Sequence, residues 1–422
     1  MNSEKNRLNF DNRRRYAIML VWRGAKRLVT SVRVLMVFIV IMLLMGWLFF
    51  RSCNMDDPLV ATINGFLLRI LFLLLIPVIL AAIGYVPGCY TMYRGFVRAA
   101  FINGTGEAPF LIDRHADGTV EQLEFRCKGL PLEKWNENIE LVQAAINMTI
   151  DTISLGKDFT RIVVQAVRPE VTFPSVIPWV DDILPTCEAE FALGQTIASR
   201  SVAINIDRQP MLLIAGSTGS GKTSLSIIIC KQALMRGAKV FVIDFKGVDF
   251  AKLQNCGASL VKKPEDILSL LQDLETEIEL RYQLFSDFEV PNLSEYRKLG
   301  FANDMKRIIV LIDECAMLTD YGVSKEAKHF SAQVVDLLAG MARVGRAVGV
   351  HLIISTQRPD QNAVPGSIKS NLDVRICGKA DKILSEMVLG DARAHDVIPN
   401  DSQGRFIMHS GSEDIVFQSY LC

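Results

Sequence analysis

The sequence has few of the residues from which disulfide frameworks and cysteine- or histidine-based metal sites are built. Its 422 residues include five His and nine Cys. The cysteines are scattered singly, with no C-x-x-C pair and no Cys/His cluster at the spacing of metal ligands. Isolated thiols are typical of ordinary buried residues in a reducing compartment, so neither disulfide nor metal chemistry is indicated at these positions.

The sequence also lacks an overall excess of charge of either sign, since 46 Lys and Arg residues balance 46 Asp and Glu residues. This balance hides an asymmetry. Residues 1–33 contain nine basic and two acidic residues, a net charge of +7, so the rest of the chain sums to −7. At this length the chain has room for two or three folded units.

Two long stretches near the N-terminus are almost free of charge. Val34–Phe50 is seventeen uncharged residues between Arg33 and Arg51, and a second apolar run begins near Phe66. A helix rises 1.5 Å per residue, so about twenty residues cross the ~30 Å hydrocarbon core of a bilayer. The sequence therefore predicts a hairpin of two transmembrane helices, at residues 34–50 and 66–86.

The distribution of Lys and Arg predicts the orientation of this hairpin. The basic tail, residues 1–33, precedes the first helix, whereas the connection, residues 51–65, carries one Arg and two Asp. By the positive-inside rule, both termini are cytoplasmic and the short connection is extracytoplasmic. The alternatives are a cleaved signal peptide or two buried core helices. A signal peptide rarely has so long a basic segment and a second apolar run close behind it.

The middle of the chain, residues 95–168, is predicted to form a small α/β module. Pro109–Asp113 and Gln122–Arg126 have strand patterns, and Ile139–Ile153 has apolar residues at spacings of three and four, which predicts an amphipathic helix. Four prolines then fall within residues 169–190, which predicts a linker. No catalytic pattern occurs in either segment.

The strongest motif is Gly216–Thr223, whose sequence GSTGSGKT fits the phosphate-binding P-loop pattern G-x-x-x-x-G-K-[ST]. The apolar run Met211–Ala215 precedes it and a helical pattern, Ser224–Met235, follows. The glycines let successive N–H groups point at an anionic phosphate, and the start of the helix adds its positive end. A structural Gly/Ser loop is the alternative, but the strand and helix on either side favour a nucleotide site.

This motif predicts ATP and Mg²⁺ as ligands. Lys222 is expected to reach the β- and γ-phosphates, and the Thr223 hydroxyl to hold Mg²⁺. The predicted nucleotide-binding residues are Gly216, Ser217, Thr218, Gly219, Ser220, Gly221, Lys222, Thr223 and Ser224.

A second apolar strand, Arg307–Ile312, ends in Asp313-Glu314. Side chains at the carboxyl ends of parallel strands face the nucleotide, so Asp313 is expected to hold the Mg²⁺ shell and Glu314 to orient and deprotonate the attacking water. A surface acidic turn is the alternative. The presence of the P-loop in the same chain favours the catalytic interpretation.

Polar residues flank a further strand, Val350–Ser355. Gln357, just after it, is placed to sense the γ-phosphate or simply forms a turn before proline. Arg343 and Arg346, upstream of the strand, form a solvated helix end or supply an arginine finger to a neighbouring subunit. The alternation of strands and helices predicts an α/β fold with a doubly wound, mainly parallel sheet.

At this point the residues resemble the FtsK/SpoIIIE family of DNA translocases, over residues 191–422. The similar stretches are Leu193–Thr223, Ile308–Cys315, Ala342–Asp360 and Val364–Arg375. The sequence ARVGRAVGVHLIISTQRPD within the third is the discriminating one, because P-loops and acidic strand ends occur in many unrelated ATPases. The resemblance implies a RecA-like P-loop motor domain that assembles as a homo-hexamer and pumps DNA through its centre.

The resemblance also assigns roles. It implies that Gln357 is the γ-phosphate sensor and Arg346 the finger in trans, with Arg343 and Arg375 as alternatives. The loop Gln361–Asn371 matches one that faces the ring channel, so Lys369 within it is a candidate for sequence-independent contact with the DNA backbone. An ordinary exposed lysine is an equally good interpretation of Lys369.

The departures from chromosome-segregating members are a two-span anchor, a small middle module and no room for a C-terminal DNA-orientation reader. They make the chain look like the coupling proteins of conjugative plasmids and integrative elements of Gram-positive bacteria. The expected function is therefore a membrane-anchored, ATP-driven DNA translocase in conjugative transfer, with a relaxase and channel proteins as partners. The alternatives are a chromosome or plasmid pump in division, a relaxase-recruiting membrane receptor, and a type VII-like protein secretion ATPase.

Overall fold

A computed structural model describes the backbone of residues 2–53, 58–301, 305–411 and 413–422. The chain divides into two compact units, Met1–Val171 and Thr172–Cys422.

The first unit contains six helices and four strands in its described part. In chain order these are α1 (Asn2–Thr30), α2 (Val32–Cys53), α3 (Pro58–Gly84), α4 (Cys89–Arg98), β1 (Phe110–Asp117), β2 (Val120–Arg126), α5 (Leu132–Glu137), α6 (Ile139–Ile146), β3 (Thr149–Leu155) and β4 (Arg161–Val167). The strands form one antiparallel sheet in the order β1-β2-β4-β3.

Helices α2 and α3 are the predicted hairpin. Val32–Arg51 and Thr62–Gly84 are each long and apolar enough to cross a membrane, and each contains an apolar stretch of 18 residues in which no residue is buried in the protein. Their exposed leucines include Leu43 and Leu73. Because an apolar helix of a protein core is mostly buried, the structure contradicts the core-helix alternative. The predicted connection, residues 51–65, is mostly helical, and residues 54–57 lie outside the described part.

The basic tail of the sequence prediction forms helix α1, which packs on α3. The Gly24 site shows how close the two helices come, because a Cβ there would lie 1.8 Å from the carbonyl oxygen of Leu80. Nearby, Arg27 Nη1 donates a 2.9 Å hydrogen bond to the Ile83 carbonyl. Tyr16 and Leu20 of α1 belong to the hydrophobic core of the first unit. The basic segment is therefore a structural part of this unit.

The predicted helix over Ile139–Ile153 is wrong beyond Ile146. Asn147 has φ +56° and ends α6, and Thr149 begins β3, which pairs with β4. The β-branched Thr and Ile residues of this segment fit a strand, and pairing with β4 outweighs the helical spacing of its apolar residues.

The second unit is a large α/β assembly. It contains β5 (Ile177–Pro178), β6 (Glu190–Gln195), β7 (Ser201–Asn205), β8 (Met211–Ala215), α7 (Lys222–Met235), β9 (Lys239–Ile243), α8 (Ala251–Asn255), β10 (Ser259–Val261), α9 (Pro264–Asp287), α10 (Leu293–Tyr296), β11 (Ile308–Asp313), α11 (Ala316–Thr319), α12 (Lys325–Val348), β12 (Val350–Thr356), α13 (Gly366–Lys369), β13 (Val374–Cys377), α14 (Lys382–Leu389), α15 (Arg393–Val397), β14 (Arg405–Ser410) and β15 (Glu413–Leu421).

Its sheet has the strand order β10-β9-β11-β12-β8-β13-β14-β15-β6-β7. The strands from β10 to β13 are parallel, and those from β14 to β7 extend the sheet in antiparallel fashion. Leu213 packs toward the side of α9 and α12, whereas the next residue, Ile214, packs toward α7 and α8. Helices thus cover both faces, which confirms the predicted doubly wound, mainly parallel fold.

Part of the predicted linker, residues 169–190, packs on this unit. Ile177 pairs with Tyr420 of β15, and Trp179 N donates a 2.8 Å hydrogen bond to the Leu421 carbonyl. The rings of Trp179 and Tyr420 are 5.7 Å apart. The segment is an edge strand, a position that tolerates its prolines.

Candidate active site

The strand order brings three predicted groups to one edge of the sheet. β12 lies between β8, which leads into the P-loop, and β11, which ends at Asp313. All three strands run parallel, so their carboxyl ends meet on the same side. Gln357, just past β12, therefore lies between the P-loop and Glu314.

The P-loop is held in its curled form by its neighbours in the sheet. Gly221 has φ +100°, and a Cβ there would lie 3.0 Å from the Gly404 nitrogen. A side chain at this position would be both strained and crowded. The Gly404 N–H donates to the Ser220 carbonyl at 2.9 Å, and the Ser217 N–H donates to the Lys379 carbonyl at 2.7 Å.

Lys222 begins helix α7, and its side chain turns back into the curl of the loop. Its Nζ donates to the carbonyl oxygens of Gly216 at 2.7 Å and Ser217 at 3.4 Å. Burial lowers the pKa of Lys222, while the carboxylates of Glu314 and Asp313 act in the opposite direction. The ammonium is thus in the phosphate-binding curl, and half-buried Thr223 follows on the first turn of the helix.

Glu314 is held in an unusual position at the end of β11. Its φ is +57°, a left-handed conformation that costs a non-glycine residue of order 1 kcal/mol or more. Its Oε1 accepts a 2.7 Å hydrogen bond from the Thr356 hydroxyl, and its Oε2 accepts from the Gln357 N–H at 3.2 Å. The Thr218 hydroxyl in turn donates to Gln357 Oε1 at 3.0 Å. Hydrogen bonds therefore connect the P-loop, Gln357 and Glu314.

Asp313 lies in an acidic environment at the same edge. Burial first, and then the negative charge of Asp244, raises its pKa to about 6, against the lowering effect of Lys246. Asp244 follows β9, which neighbours β11. Its Oδ1 accepts a 2.9 Å hydrogen bond from the Lys246 N–H, and its buried Oδ2 has no partner among the described residues.

These oxygens suit Mg²⁺. Asp313, Thr223 and the unpartnered Asp244 Oδ2 are hard donors, the kind that Mg²⁺ prefers. Within the described residues, no three His, Cys, Asp or Glu side chains form a metal-binding group. Mg²⁺ that arrives with a nucleotide needs only one or two protein oxygens, because phosphates and waters supply the rest. The donor set fits nucleotide-bound Mg²⁺ and not a permanently held ion.

Asp244 and Thr356 are candidate functional residues that sequence reasoning missed. The signal for Asp244 is the dipeptide Asp244-Phe245 directly after a strand, and it acquires meaning only when β9 is known to lie beside β11. The signal for Thr356 is a hydroxyl side chain at the end of a mostly apolar strand.

Arg346 lies at the opposite edge of the sheet from the P-loop of its own chain. It is in the last turn of α12, just before β12, and its Nε donates to the Asp207 carbonyl at 3.2 Å. Gln357 comes after the seven residues of β12, a rise of roughly 20 Å. Arg343 is exposed on the same helix, and Arg375 is half-buried in β13.

Lys369 is at the end of short helix α13. Its Nζ donates to the Met387 carbonyl at 2.8 Å, and burial lowers its pKa. The structure thus gives Lys369 a contact within its own chain, and its contact with DNA stays a prediction.

The Thr356 hydroxyl predicts a modest catalytic effect. Thr356→Val keeps the shape of the side chain but removes the hydrogen-bond donor to Glu314. We expect ATP turnover to fall about tenfold with little change in KM. The reason is that a hydrogen bond to a charged group contributes roughly 1.5–3 kcal/mol. Steady-state ATP hydrolysis measures this effect. Thr356→Ser, which keeps the hydroxyl, is the matched control and is expected to retain turnover; equal loss in both variants would contradict a positioning role.

Asp313 predicts a pH-dependent stability effect. The pKa of the Asp313 carboxyl is about 6 in the folded protein, whereas that of an ordinary aspartate is 3.8. Between these two pH values the folded state keeps this proton and the unfolded state has lost it. The folded protein therefore loses stability as pH rises from 3.8 to 6. Asp313→Asn is expected to raise the nucleotide-free unfolding free energy by about 1–2 kcal/mol above pH 6, after allowance for partial exposure, and by little near pH 4.

Thermal unfolding of the nucleotide-free protein across this pH range measures the difference. Asp320→Asn removes an exposed carboxylate from the connection between α11 and α12 and is the matched control. Equal stability of wild type and Asp313→Asn at pH 7.5 would contradict the cost assigned to the Asp313 charge.

Comparison with known sequences places this geometry in a family. The FtsK/SpoIIIE family profile matches residues 186–361, which contain the P-loop, Asp313, Glu314 and Gln357. A solved structure of the conjugation coupling protein TcpA of pCW3, in its monomer form with ATPγS, is 30% identical, with 80% of this chain and 95% of that chain covered and a TM-score of 0.58. The chain belongs to the FtsK/SpoIIIE family.

Curated members of the FtsK/SpoIIIE family give a similar result. DNA translocase FtsK of Listeria monocytogenes is 31% identical in an alignment 265 positions long that covers 55% of this chain and 34% of that protein. DNA translocase SpoIIIE of Bacillus subtilis is 29% identical in an alignment 260 positions long that covers 57% of this chain and 32% of that protein. This FtsK/SpoIIIE-family chain thus spans about a third of the length of these relatives.

More distant structures agree on the fold. EssC ATPases 2 and 3 of Geobacillus thermodenitrificans are 18% identical, with 59% of this chain and 47% of that chain covered and a TM-score of 0.50. The family profile over residues 186–361 and the TcpA structure show that the second unit of this FtsK/SpoIIIE-family chain contains a RecA-like P-loop ATPase domain.

Proposed function

We propose that the chain is a membrane-anchored, ATP-driven DNA translocase that acts as the coupling protein in conjugative DNA transfer. The observation that carries this proposal is the 30% identity with a conjugation coupling protein over 95% of that protein. The second unit makes up about 60% of this chain. An alignment that covers 80% of the chain therefore extends into the first unit. Curated FtsK and SpoIIIE proteins match 55–67% of this chain, over only 32–39% of their own length.

In this proposal the P-loop binds the phosphates of ATP, and Lys222 leaves the loop carbonyls to contact the β- and γ-phosphates. Glu314, held by Thr356 and by the Gln357 N–H, orients the attacking water and accepts its proton. Thr223 and Asp313 would hold Mg²⁺, which would neutralise phosphate charge when bound. Gln357 contacts both the P-loop and Glu314, so a change at the γ-phosphate reaches the strand end of β12 through it.

Completion of the site by a second subunit is part of the proposal. Roughly 20 Å of strand separates Arg346 from the nucleotide edge of its own sheet. Arg346 can therefore act only on the nucleotide of a neighbour, as an arginine finger in a homo-hexameric ring. Arg343, one turn earlier and exposed on the same helix, is the alternative donor.

DNA is the proposed cargo, contacted through its phosphate backbone so that movement does not depend on sequence. The loop of residues 361–371 is the proposed contact, with Lys369 as the candidate side chain. The membrane hairpin, residues 34–50 and 66–86, would hold the ring at the inner face of the membrane, with both termini cytoplasmic and residues 51–65 outside. A relaxase and channel proteins are the proposed partners.

A chromosome or plasmid pump in cell division is the second candidate function, since the curated relatives are named DNA translocases. A genetic comparison separates the two. Deletion of the gene should abolish transfer of the mobile element to a recipient while leaving chromosome partition normal. A partition defect with normal transfer would favour the division pump.

The motor is tested with Lys222→Ala, which removes the ammonium from the P-loop. Conjugative transfer and DNA-stimulated ATP hydrolysis are both expected to disappear while the protein still fractionates with membranes. Lys252→Ala, an exposed lysine on α8, is the matched control. Normal transfer by Lys222→Ala would overturn the motor and leave a relaxase-recruiting receptor in its place.

The cargo is tested by stimulation of ATP hydrolysis. Double- and single-stranded DNA of unrelated sequence are each added to the purified protein, and exported proteins of the same cell are added in parallel. The proposal expects DNA to stimulate turnover severalfold. Stimulation by protein and not by DNA would favour a secretion ATPase.

A further inference from the structure

The first unit contains an open pocket of about 180 Å³ between α1 and α4. Five of its lining residues occupy positions i, i+3, i+4, i+7 and i+8 of α4, so they share one face of that helix. The lining residues are Arg13 and Tyr16 of α1 and Tyr90, Tyr93, Arg94, Val97 and Arg98 of α4. The pocket is separate from the candidate ATPase site, which lies in the second unit.

Aromatic rings form the wall of this pocket. The ring of Tyr16 is 5.3 Å from that of Tyr90 and 5.2 Å from that of Tyr93, and its hydroxyl is hydrogen-bonded to Cys89 Sγ at 2.8 Å. Burial raises the pKa of Tyr93 to about 12, so this phenol is neutral at cellular pH. The described charges of the pocket are therefore all positive.

Among the side chains that the structure describes, those positive charges have no counter-ion. Among the described side chains, Arg13, Arg94 and Arg98 make no hydrogen bond and no ion pair, and Arg94 lies over the Tyr90 ring at 5.5 Å. Some other arginines of the same unit are paired, as in the bidentate contact of Arg114 with Glu121 at 2.7 and 2.9 Å. Like charges four residues apart on a helix repel. A bound anion would remove this repulsion and supply the missing partner.

The pocket is also close to the end of a membrane-spanning segment. α4 begins five residues after Gly84, the last residue of the apolar span Thr62–Gly84. Five residues reach at most about 18 Å. At Gly24, α1 packs directly on the same end of α3. Trp22 of α1 is 54% exposed and has Lys26 above its ring, an arrangement that suits a membrane interface.

We propose that this pocket binds the phosphate head group of an anionic phospholipid, from the leaflet at the carboxyl end of α3. The proposal rests on the membrane placement proposed above but not on the cargo or on ATP hydrolysis. A volume of about 180 Å³ equals that of roughly six water molecules, enough for a phosphate and a small polar substituent. The acyl chains would stay in the bilayer. Guanidinium groups match phosphate oxygens in bidentate fashion, and the tyrosines add neutral walls.

The test uses the full-length protein in detergent with added phosphatidylglycerol or phosphatidylcholine, and native mass spectrometry to count retained lipids. Wild type is expected to retain one phosphatidylglycerol per chain and little phosphatidylcholine. Arg13→Gln and Arg94→Gln, on two different helices, are each expected to lower this occupancy about tenfold. Arg14→Gln is the matched control, because it removes the same charge from the neighbouring residue, which does not line the pocket.

Several outcomes would overturn the proposal. An equal loss of bound phosphatidylglycerol in Arg14→Gln would mean that lipid retention depends on overall charge and not on the pocket. Full competition by 10 mM inorganic phosphate would assign the pocket to a soluble anion, and competition by a short DNA duplex would assign it to nucleic acid. Cell fractionation tests the membrane anchor separately from the lipid count. Recovery of the protein in the soluble fraction would refute the membrane anchor.

Discussion

ATP hydrolysis by the Glu314→Gln variant is expected to be about 10³-fold slower than that of the wild type, because a general base contributes roughly 10²–10⁴ to the rate. ATP binding is expected to be unchanged. The amide keeps the size of the carboxylate and can still accept a hydrogen bond from the Thr356 hydroxyl. It cannot also accept from the Gln357 N–H through its NH₂ group, and it cannot take a proton from water. Binding of a fluorescent ATP analogue and single-turnover hydrolysis separate the two effects.

The same variant distinguishes a motor from a nucleotide-dependent receptor. A receptor that uses ATP only for assembly would support near-normal transfer in Glu314→Gln cells. A motor would not, and ATP-bound Glu314→Gln subunits would also inhibit wild-type subunits in the same ring. Glu326→Gln, a change on the first turn of α12, is the matched control. Hydrolysis within threefold of wild type in Glu314→Gln would refute the role of Glu314 as base.

Arg346→Ala is expected to lower ATP hydrolysis by about 10³-fold or more, since an arginine finger contributes roughly 10³–10⁵. The reason is geometric. Arg346 lies at the amino edge of the sheet, near Asp207, so its loss leaves the P-loop of its own chain intact. Nucleotide binding by the isolated chain is therefore expected to stay normal.

Mixing experiments test whether Arg346 acts between subunits. Arg346→Ala keeps a complete P-loop, and Lys222→Ala keeps Arg346, so each variant is inactive alone. In mixed rings a Lys222→Ala subunit can supply Arg346 to an Arg346→Ala neighbour, and hydrolysis should return to a sizeable fraction of wild type. Arg343→Ala is the matched control on the same helix. If Arg343→Ala is the inactive variant and Arg346→Ala is normal, the finger is Arg343. If mixtures of Arg346→Ala and Lys222→Ala stay inactive, Arg346 does not act in trans.

The local sequence pattern predicted the structure correctly where that structure depends only on consecutive residues. The P-loop requires a strand, a glycine-rich turn and a helix in immediate succession, and β8, residues 216–221 and α7 follow that order. The apolar spans are likewise properties of continuous segments. Ile139–Ile153 shows where this fails: its apolar spacing suits a helix and its β-branched residues suit a strand. Pairing with β4 decided the outcome at Asn147.

The candidate site depends on contacts between segments far apart in the chain. The hydrogen bond between Thr356 and Glu314 joins residues 42 positions apart, and that between Thr218 and Gln357 joins residues 139 apart. Neither pairing can be read from spacing, because both depend on the placement of β12 between β8 and β11. The same strand order buries Asp313 and puts Asp244 beside it, and burial first and then the Asp244 charge raise the pKa of Asp313.

The sequence by itself determined that the chain carries a P-loop, an acidic strand end and two apolar spans, because each is a short-range pattern whose chemistry is contained in consecutive residues. Only the tertiary structure decided which side of the sheet each group occupies. It separated Arg346 from Gln357 by the length of β12 and turned the basic tail into a helix packed on α3. It also gathered three arginines, with no ion pair among the described side chains, around one pocket. Those arrangements arise from strand order and helix packing, which depend on the burial of residues distant in sequence.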